Sequence, residues 1–439
     1  MPRFATDIDP RELRQTLEAF AAIVPWDLWK HRVRGLSAQL SQNPLWEGFF
    51  LDRYGVELAL PEIRQYLATT GRLRWPPVTV QQHQLSTFMA VVTRVYANLS
   101  SAGKARLAGS IRSALQMEAG LGPLILEMRV IAILMSSGFD VVFNDLENGG
   151  GFDFLAHREG SQIEVECKHL SADIGRKIHR SKVYDLGGIL QPVLSAAIDG
   201  STVGRLVCVR LPNRLDGNKA QQEAIAECVR AILAGLPVSH ASVCSISVQQ
   251  FAIEDTVFGA ETRAGVTMND VERYVRNVFG LEQVHLLVNW KPGRAAVLVH
   301  IESQQPDRVL PKILKTLKES ARDQFSASRP AFMCIHLADL APRELEELAR
   351  ADHAGEITGI RYAVSSLLNS RAHLYGVALM TRGDVFLRTL NKRLRSVQES
   401  GPSYVFRKPE HPEAGNPHFA RIFNGTGERG ASAGIRSSR

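Results

Sequence analysis

The sequence predicts a mixed α/β protein: an all-helical N-terminal region, then a mixed sheet flanked by helices, then a further α/β region towards the C-terminus. Three observations carry that expectation. Up to about residue 116, apolar residues recur at helical spacing and strand texture is scarce. Within residues 139–170, three short strand-like runs follow one another. From there to about residue 410, helical and strand-like runs alternate.

The first helix opens at DPRELRQTLEAFAAIV, with Asp9 as cap and Pro10 at the first helical position, where its missing N–H costs nothing. LPEIRQYLATTG, HQLSTFMAVVTRVYANL and KARLAGSIRSAL continue the helical texture without an internal repeat, so residues 1–116 read as a helical accessory region. PLILEMRVIAILMSSG is an apolar-rich helix stopped by Gly138. FDVVF, FDFLAH and QIEVECKHL are the expected strands, the first two joined by the turn residues of NDLENGGG. Gly149–Gly151 reads as a hairpin turn and not a phosphate cradle, because no strand precedes it with a helix following. A helix over KIHRSKVYDLGGILQPVLSAAI, the strand GRLVCVRL, the helix KAQQEAIAECVRAILAGL and the strand VCSISVQQF complete a core over residues 117–255. Residues 256–410 then offer strands at HLLVNWK, AAVLVHIE, AFMCIHL and HLYGVALMT, with helices at VLPKILKTLKESARDQF and PRELEELARA. Their chemistry has no motif. Residues 411–439 lose apolar periodicity, are rich in Gly, Ser and Arg, and read as a flexible basic tail.

Composition narrows the classes. A chain of 439 residues, 45% hydrophobic, has room for buried cores in two or three domains. Its net charge of +7 permits a phosphate-rich partner without establishing one. The five cysteines have no zinc-type spacing, and their odd number argues against a disulfide framework. The polar N-terminus is no signal peptide, and no apolar stretch reaches membrane-spanning length, so a cytoplasmic protein without a membrane partner is expected. No Walker A motif points to an internal NTP motor.

One strand concentrates the chemistry. In QIEVECKHL the residues alternate, with Ile163, Val165 and Cys167 on one face and Glu164, Glu166 and Lys168 on the other. Two carboxylates and an ammonium on one face are costly unless solvated, paired or metal-bound. Lys168 is the only lysine preceded two residues earlier by an acid, and Asp153 stands at the start of the preceding strand. A solvent-exposed, salt-bridged strand face is the competing reading.

Asp153, twelve intervening residues and then Glu166-Cys167-Lys168 resemble the catalytic signature of the PD-(D/E)XK, or restriction-endonuclease-like, superfamily. Glu127, in the helix LEMRVIAILMSSG before the first strand, stands where members often carry a glutamate. The resemblance spans residues 120–250, and Phe152 replaces the proline that gives the motif its first letter. It implies a restriction-endonuclease-like core and a Mg²⁺-dependent nuclease, with Mn²⁺ as substitute. Asp153, Glu166 and the backbone carbonyl of Cys167 would hold the ion. Lys168 would orient the attacking water and offset charge on phosphorus, and Glu127 would assist. Glu164, one pleat away, would support them at most.

The basic run Arg176, Lys177, Arg180 and Lys182 follows the motif strand and would hold nucleic-acid phosphates. Lys312, Lys315 and Lys318 share a helix face and read as surface, as do Lys392, Arg393 and Arg395. His157 and His169 flank the motif without the spacing of a ββα-metal site. DNA is the expected partner, in a bacterial defence, restriction or repair setting. An RNA-directed nuclease, or an inactive nucleic-acid-binding or assembly protein that keeps the fold, remains the alternative, and self-association is left open.

Overall fold

The computed structural model describes residues 12–422 apart from 43–46, 71–78, 172, 200, 216, 239–241, 255, 260–267, 282–284, 339–359, 382–383, 390–394, 401–402 and 421. The N-terminal elements are helices α1 (Leu13–Ile23), α2 (Trp26–Gln42), α3 (Glu47–Thr70), α4 (Val80–Asn98), α5 (Ser101–Ala114) and α6 (Gly122–Ser136). Next come β1 (Asp140–Phe143), the short α7 (Asn144–Asn148), β2 (Phe154–Arg158) and β3 (Ser161–Ser171). The middle holds α8 (Arg180–Asp199), β4 (Gly204–Leu211), α9 (Lys219–Leu233), β5 (Ser245–Phe251), α10 (Met268–Phe279), β6 (Leu286–Lys291) and β7 (Ala295–Ser303). The last part holds α11 (Val309–Asp323), β8 (Ala331–Ala338), α12 (Ile360–Ser370), β9 (Leu374–Met380), β10 (Asp384–Thr389), β11 (Arg395–Ser400), β12 (Ser403–Arg407) and α13 (Pro417–Ala420). The chain is therefore mixed α/β. Among the described residues no helix is long and apolar enough to cross a membrane.

Two compact units divide it, one of residues 1–37, 50–172 and 310–439, the other of 38–49 and 173–309. This division differs from the sequential one expected from the pattern. In the first unit, six strands form one mixed sheet in the order β1-β2-β3-β8-β9-β12. β1, β2 and β3 are consecutive strands of one sheet, as the sequence predicts, and run antiparallel as a meander. β8 then pairs parallel with β3, Glu166 opposite Met333, and β9 parallel with β8. The reason lies in burial. β9 is buried at every position and β8 at all but His336, and such continuous apolar runs suit strands covered on both faces. β4 and β5, expected in this sheet, belong to the second unit. There the order is β5-β4-β7-β6, with β4 and β7 parallel at its centre. One face of that sheet packs on α8 and α9, and apolar residues of α10 pack on the other.

The helical N-terminus is no separate accessory layer. Phe20, Trp29, Ile63, Phe88 and Met89 share a single apolar core with α6 and with Ile163, Val165, Phe332 and Cys334 of the sheet. A buried acid fixes the start of α6. Glu57 of α3 accepts the Leu121 N–H at 3.0 Å, supplying the cap that Leu121 has no side chain to make, while its own carbonyl accepts the Trp29 indole N–H at 2.9 Å.

The first residues of the expected basic tail are packed against the first unit. Phe419 and Ile422 are buried in that same core, and the Arg407 guanidinium donates to the carbonyls of Ala420 and Ile422. Residues 423–439, the helix expected at 342–351 and the Lys392–Arg393 pair lie outside the described residues.

Candidate active site

β3 is a central strand, and this changes the meaning of its charges. Ile163 through Glu166 are all buried, so the face carrying Glu164, Glu166 and Lys168 is no solvent-washed surface. Glu164 is fully buried and satisfied: the Ser326 N–H donates to it at 2.9 Å, the Ser326 hydroxyl donates as well, and Arg329 pairs with it at 3.2 Å. It is a staple between β3 and the loop before β8. Replacing it with alanine removes three bonds that tie the loop before β8 to β3 and is expected to lower stability by roughly 1–3 kcal/mol. An unchanged denaturant midpoint for Glu164→Ala would remove that role.

Glu166 is different. It is 2% exposed, one of its oxygens meets the Lys168 ammonium at 2.6 Å, and the other is buried with no hydrogen-bond partner. The Lys168 side chain is 28% exposed. Asp153 immediately precedes β2, opposite Glu166 by continuation of the Phe154–Val165 register. The Cys167 N–H donates to its carboxylate at 2.6 Å. This bond is possible because β2 stops pairing at Phe154, leaving the flank of β3 beyond Val165 open on that side. A strand residue's N–H and C=O leave the same edge, so the Cys167 carbonyl faces the side where Asp153 lies.

Glu127 enters from α6, which packs against β3 and β1. Its half-buried carboxylate accepts no hydrogen bond from any described residue. Burial, then the neighbouring Asp153 carboxylate, push it well above the usual carboxylate range. Burial and the Glu166 carboxylate raise Asp153 to about 7. Burial also raises Glu166, against the pull of Lys168. Three carboxylates thus crowd around one ammonium, each disfavoured in its charged form.

The four residues read from the sequence as catalytic are therefore brought together, and a further acid acts on them. Asp145, on α7, also acts electrostatically on Glu127, Asp153 and Glu166. The sequence concealed it inside a segment whose composition reads as turn. Among the described residues no three His, Cys, Asp or Glu side chains are gathered closely enough to ligate one ion by themselves. Mg²⁺ asks less, binding through one or two carboxylates and retaining several waters. Asp153 and Glu166, with an orphaned buried oxygen between charged neighbours, fit that demand.

The basic run lies in the second unit and is not one helix face. α8 begins only at Arg180, where the Asp173 carboxylate accepts the N–H groups of Arg180 at 2.9 Å and Ser181 at 3.4 Å. Upstream, Gly175 at φ +74° passes so close to the Arg308 carbonyl that a Cβ would not fit. Arg176, Lys177 and Arg180 are half-buried, and Lys182 pairs with Asp185 at 3.1 Å. Lys312, Lys315 and Lys318 line the exposed face of α11, as expected of a surface row. His169 meets His336 of β8 at a tilt, with their Nδ1 atoms 3.1 Å apart, and burial holds His169 down at about 4. His157 lies 4.0 Å from Asp140. Compared with known proteins, the chain matches no family model, no curated protein and no solved structure.

Proposed function

We propose that the chain is a divalent-cation-dependent nuclease whose first unit is a restriction-endonuclease-like core and whose site is Asp153, Glu166 and Lys168, assisted by Glu127. The observation that carries this reading is Glu166: buried at 2% exposure, paired through one oxygen to Lys168, and orphaned at the other. An orphaned carboxylate oxygen beside two further raised carboxylates is unfavourable on its own and is relieved by a cation. When bound, Mg²⁺ or Mn²⁺ would supply Lewis acidity and a hydroxide near neutral pH. Asp153 and Glu166, with the Cys167 carbonyl, would hold it. The Cys167 N–H fixes one Asp153 oxygen and so presents the other. Lys168, the cation whose charge reaches all three carboxylates, would stabilise charge developing on phosphorus. DNA is the proposed substrate, with phosphate contacts from Arg176, Lys177 and Arg180.

The closed 2.6 Å pair of Lys168 with a buried Glu166 also supports a second reading, in which the pair is structural and the protein only binds nucleic acid. One experiment separates them. The protein is incubated with supercoiled, linear and single-stranded DNA and with RNA, in Mg²⁺, Mn²⁺ or EDTA. Strand scission that requires the cation and disappears in Asp153→Ala is expected. Intact substrates in every condition would leave the binding reading.

A further inference from the structure

Helix α11 shows one face to the core and a cationic one to solvent. Ile313, Leu317, Ser320 and Ala321 are buried, while Lys312, Lys315 and Lys318 are exposed. At 3.6 residues per turn, Lys315 stands opposite the buried stripe, with Lys312 and Lys318 on either side of it. Of the acids on that side, Glu319 lies 3.8 Å from Lys315, and Asp323 is held by the Arg322 guanidinium at 2.6 and 2.9 Å. Lys312 and Lys318 have no carboxylate partner among the described residues.

A solvated surface is the ordinary role of such a row, but the end of α11 is fixed beside the candidate site. Gly151, two residues before Asp153, passes so near that an added Cβ would lie 3.7 Å from the Gln324 carbonyl oxygen. Just beyond, Ser326 and Arg329 bind the Glu164 carboxylate of β3. By strand alternation Glu164 shares its face with Glu166 and Lys168, so the loop that ends α11 is anchored on the face that carries the motif. Lys312, Lys315 and Lys318 belong to the same unit as the site, whereas Arg176, Lys177 and Arg180 are half-buried and belong to the other. Counted back from Gln324 at about 1.5 Å per residue, Lys318 stands roughly 9 Å and Lys312 roughly 18 Å along the helix axis. One DNA strand presents a phosphate about every 3.4 Å of duplex axis, so the row spans about three phosphates and begins about three from the loop bearing Asp153.

We propose that Lys312, Lys315 and Lys318 form a phosphate track that holds the nucleic-acid strand leading into the site of Asp153, Glu166 and Lys168. This deepens the nuclease reading and rests on its nucleic-acid substrate. Lysine ammonium groups are point charges on flexible stems, so they follow a backbone of any sequence and position it without reading bases. The ties from Gln324, Ser326 and Arg329 then have a purpose: they fix the register between the bound strand and the carboxylates.

The test is fluorescence anisotropy of the full chain with a short labelled DNA duplex, in EDTA so that nothing is cut, across roughly 50–200 mM salt. Lys312→Gln, Lys315→Gln and Lys318→Gln combined are expected to weaken binding by about tenfold or more and to flatten the slope of log affinity against log salt by about 3. Lys30→Gln, Lys219→Gln and Arg230→Gln combined remove the same charge from exposed positions elsewhere and should bind within about threefold of wild type. Both triple variants should melt near wild type, because every substituted side chain is exposed. A track variant that binds as tightly as the control, with an unchanged salt slope, would overturn the inference, while cation-dependent cleavage by wild type would keep the nuclease reading standing. Weakened binding by the track variant beside a wild type that cuts nothing in Mg²⁺ or Mn²⁺ would remove the nuclease reading and leave the track. A wild type that binds no duplex at the lowest salt would overturn the inference.

Discussion

Lys168→Ala is expected to lower cation-dependent cleavage by roughly 10²–10³-fold, the scale on which a single preorganised charge-stabilising donor acts. Nucleic-acid affinity should stay near wild type. The reasoning is electrostatic. The charge of Lys168 acts on Glu127, Asp153 and Glu166 alike, and its side chain is partly exposed. Removing it deprives the transition state of a positive charge but leaves the proposed phosphate contacts of Arg176, Lys177 and Arg180 untouched. The converse variant, Arg176→Ala with Lys177→Ala and Arg180→Ala, should weaken binding for all sequences and flatten its salt dependence. Single-turnover cleavage and fluorescence anisotropy, run on both variants across one salt series in Mg²⁺, read the two effects separately. Undiminished cleavage by Lys168→Ala would place the chemistry elsewhere in the chain.

The second large effect concerns stability. In EDTA, the protein is expected to lose stability relative to Asp153→Asn as the pH rises from about 4 to about 7, and Mg²⁺ is expected to restore it at pH 8. Burial and Glu166 raise Asp153 from 3.8 to about 7, so the folded state binds this proton more tightly than the unfolded chain does. The stability it contributes is fully present below the unfolded value and is lost as the pH rises through the folded one. Glu127 and Glu166 are raised in the same sense. The size is on the order of a few kcal/mol, at roughly 1.4 kcal/mol per pH unit. His169, held down at about 4 by burial, works in the opposite direction: its contribution is lost as the pH falls towards 4. Comparison with Asp153→Asn removes that background. Between pH 5 and pH 8 the wild-type urea midpoint should fall relative to that of the variant, and Mg²⁺ should raise only the wild-type value. Parallel profiles for the two proteins would mean that Asp153 carries no strained charge.

Local pattern was enough for the meander β1-β2-β3, for the helix bearing Glu127, and for the motif residues, because strand alternation and helical spacing are written within a few residues. Alternation also placed Glu164, Glu166 and Lys168 on one side of β3. It did not say whether that side was wet. Whether the charges were a solvated surface or a buried cluster depended on β8, whose residues begin some 160 positions later and whose parallel pairing leaves no local trace. The same long-range pairing moved β4 and β5 into a second sheet and drew the helical N-terminus and residues 417–422 into the first unit's core. The helix α7 was hidden for a related reason: Asn, Asp and Gly favour turns in isolation, and Arg106 and Ser100, from a distant helix and its cap, help hold them as α7. The sequence by itself determined which residue types stand at which spacing along each element. Only the tertiary structure decided which faces are covered, and hence which charges are strained, because burial is a property of partners brought together across the chain and not of any segment alone.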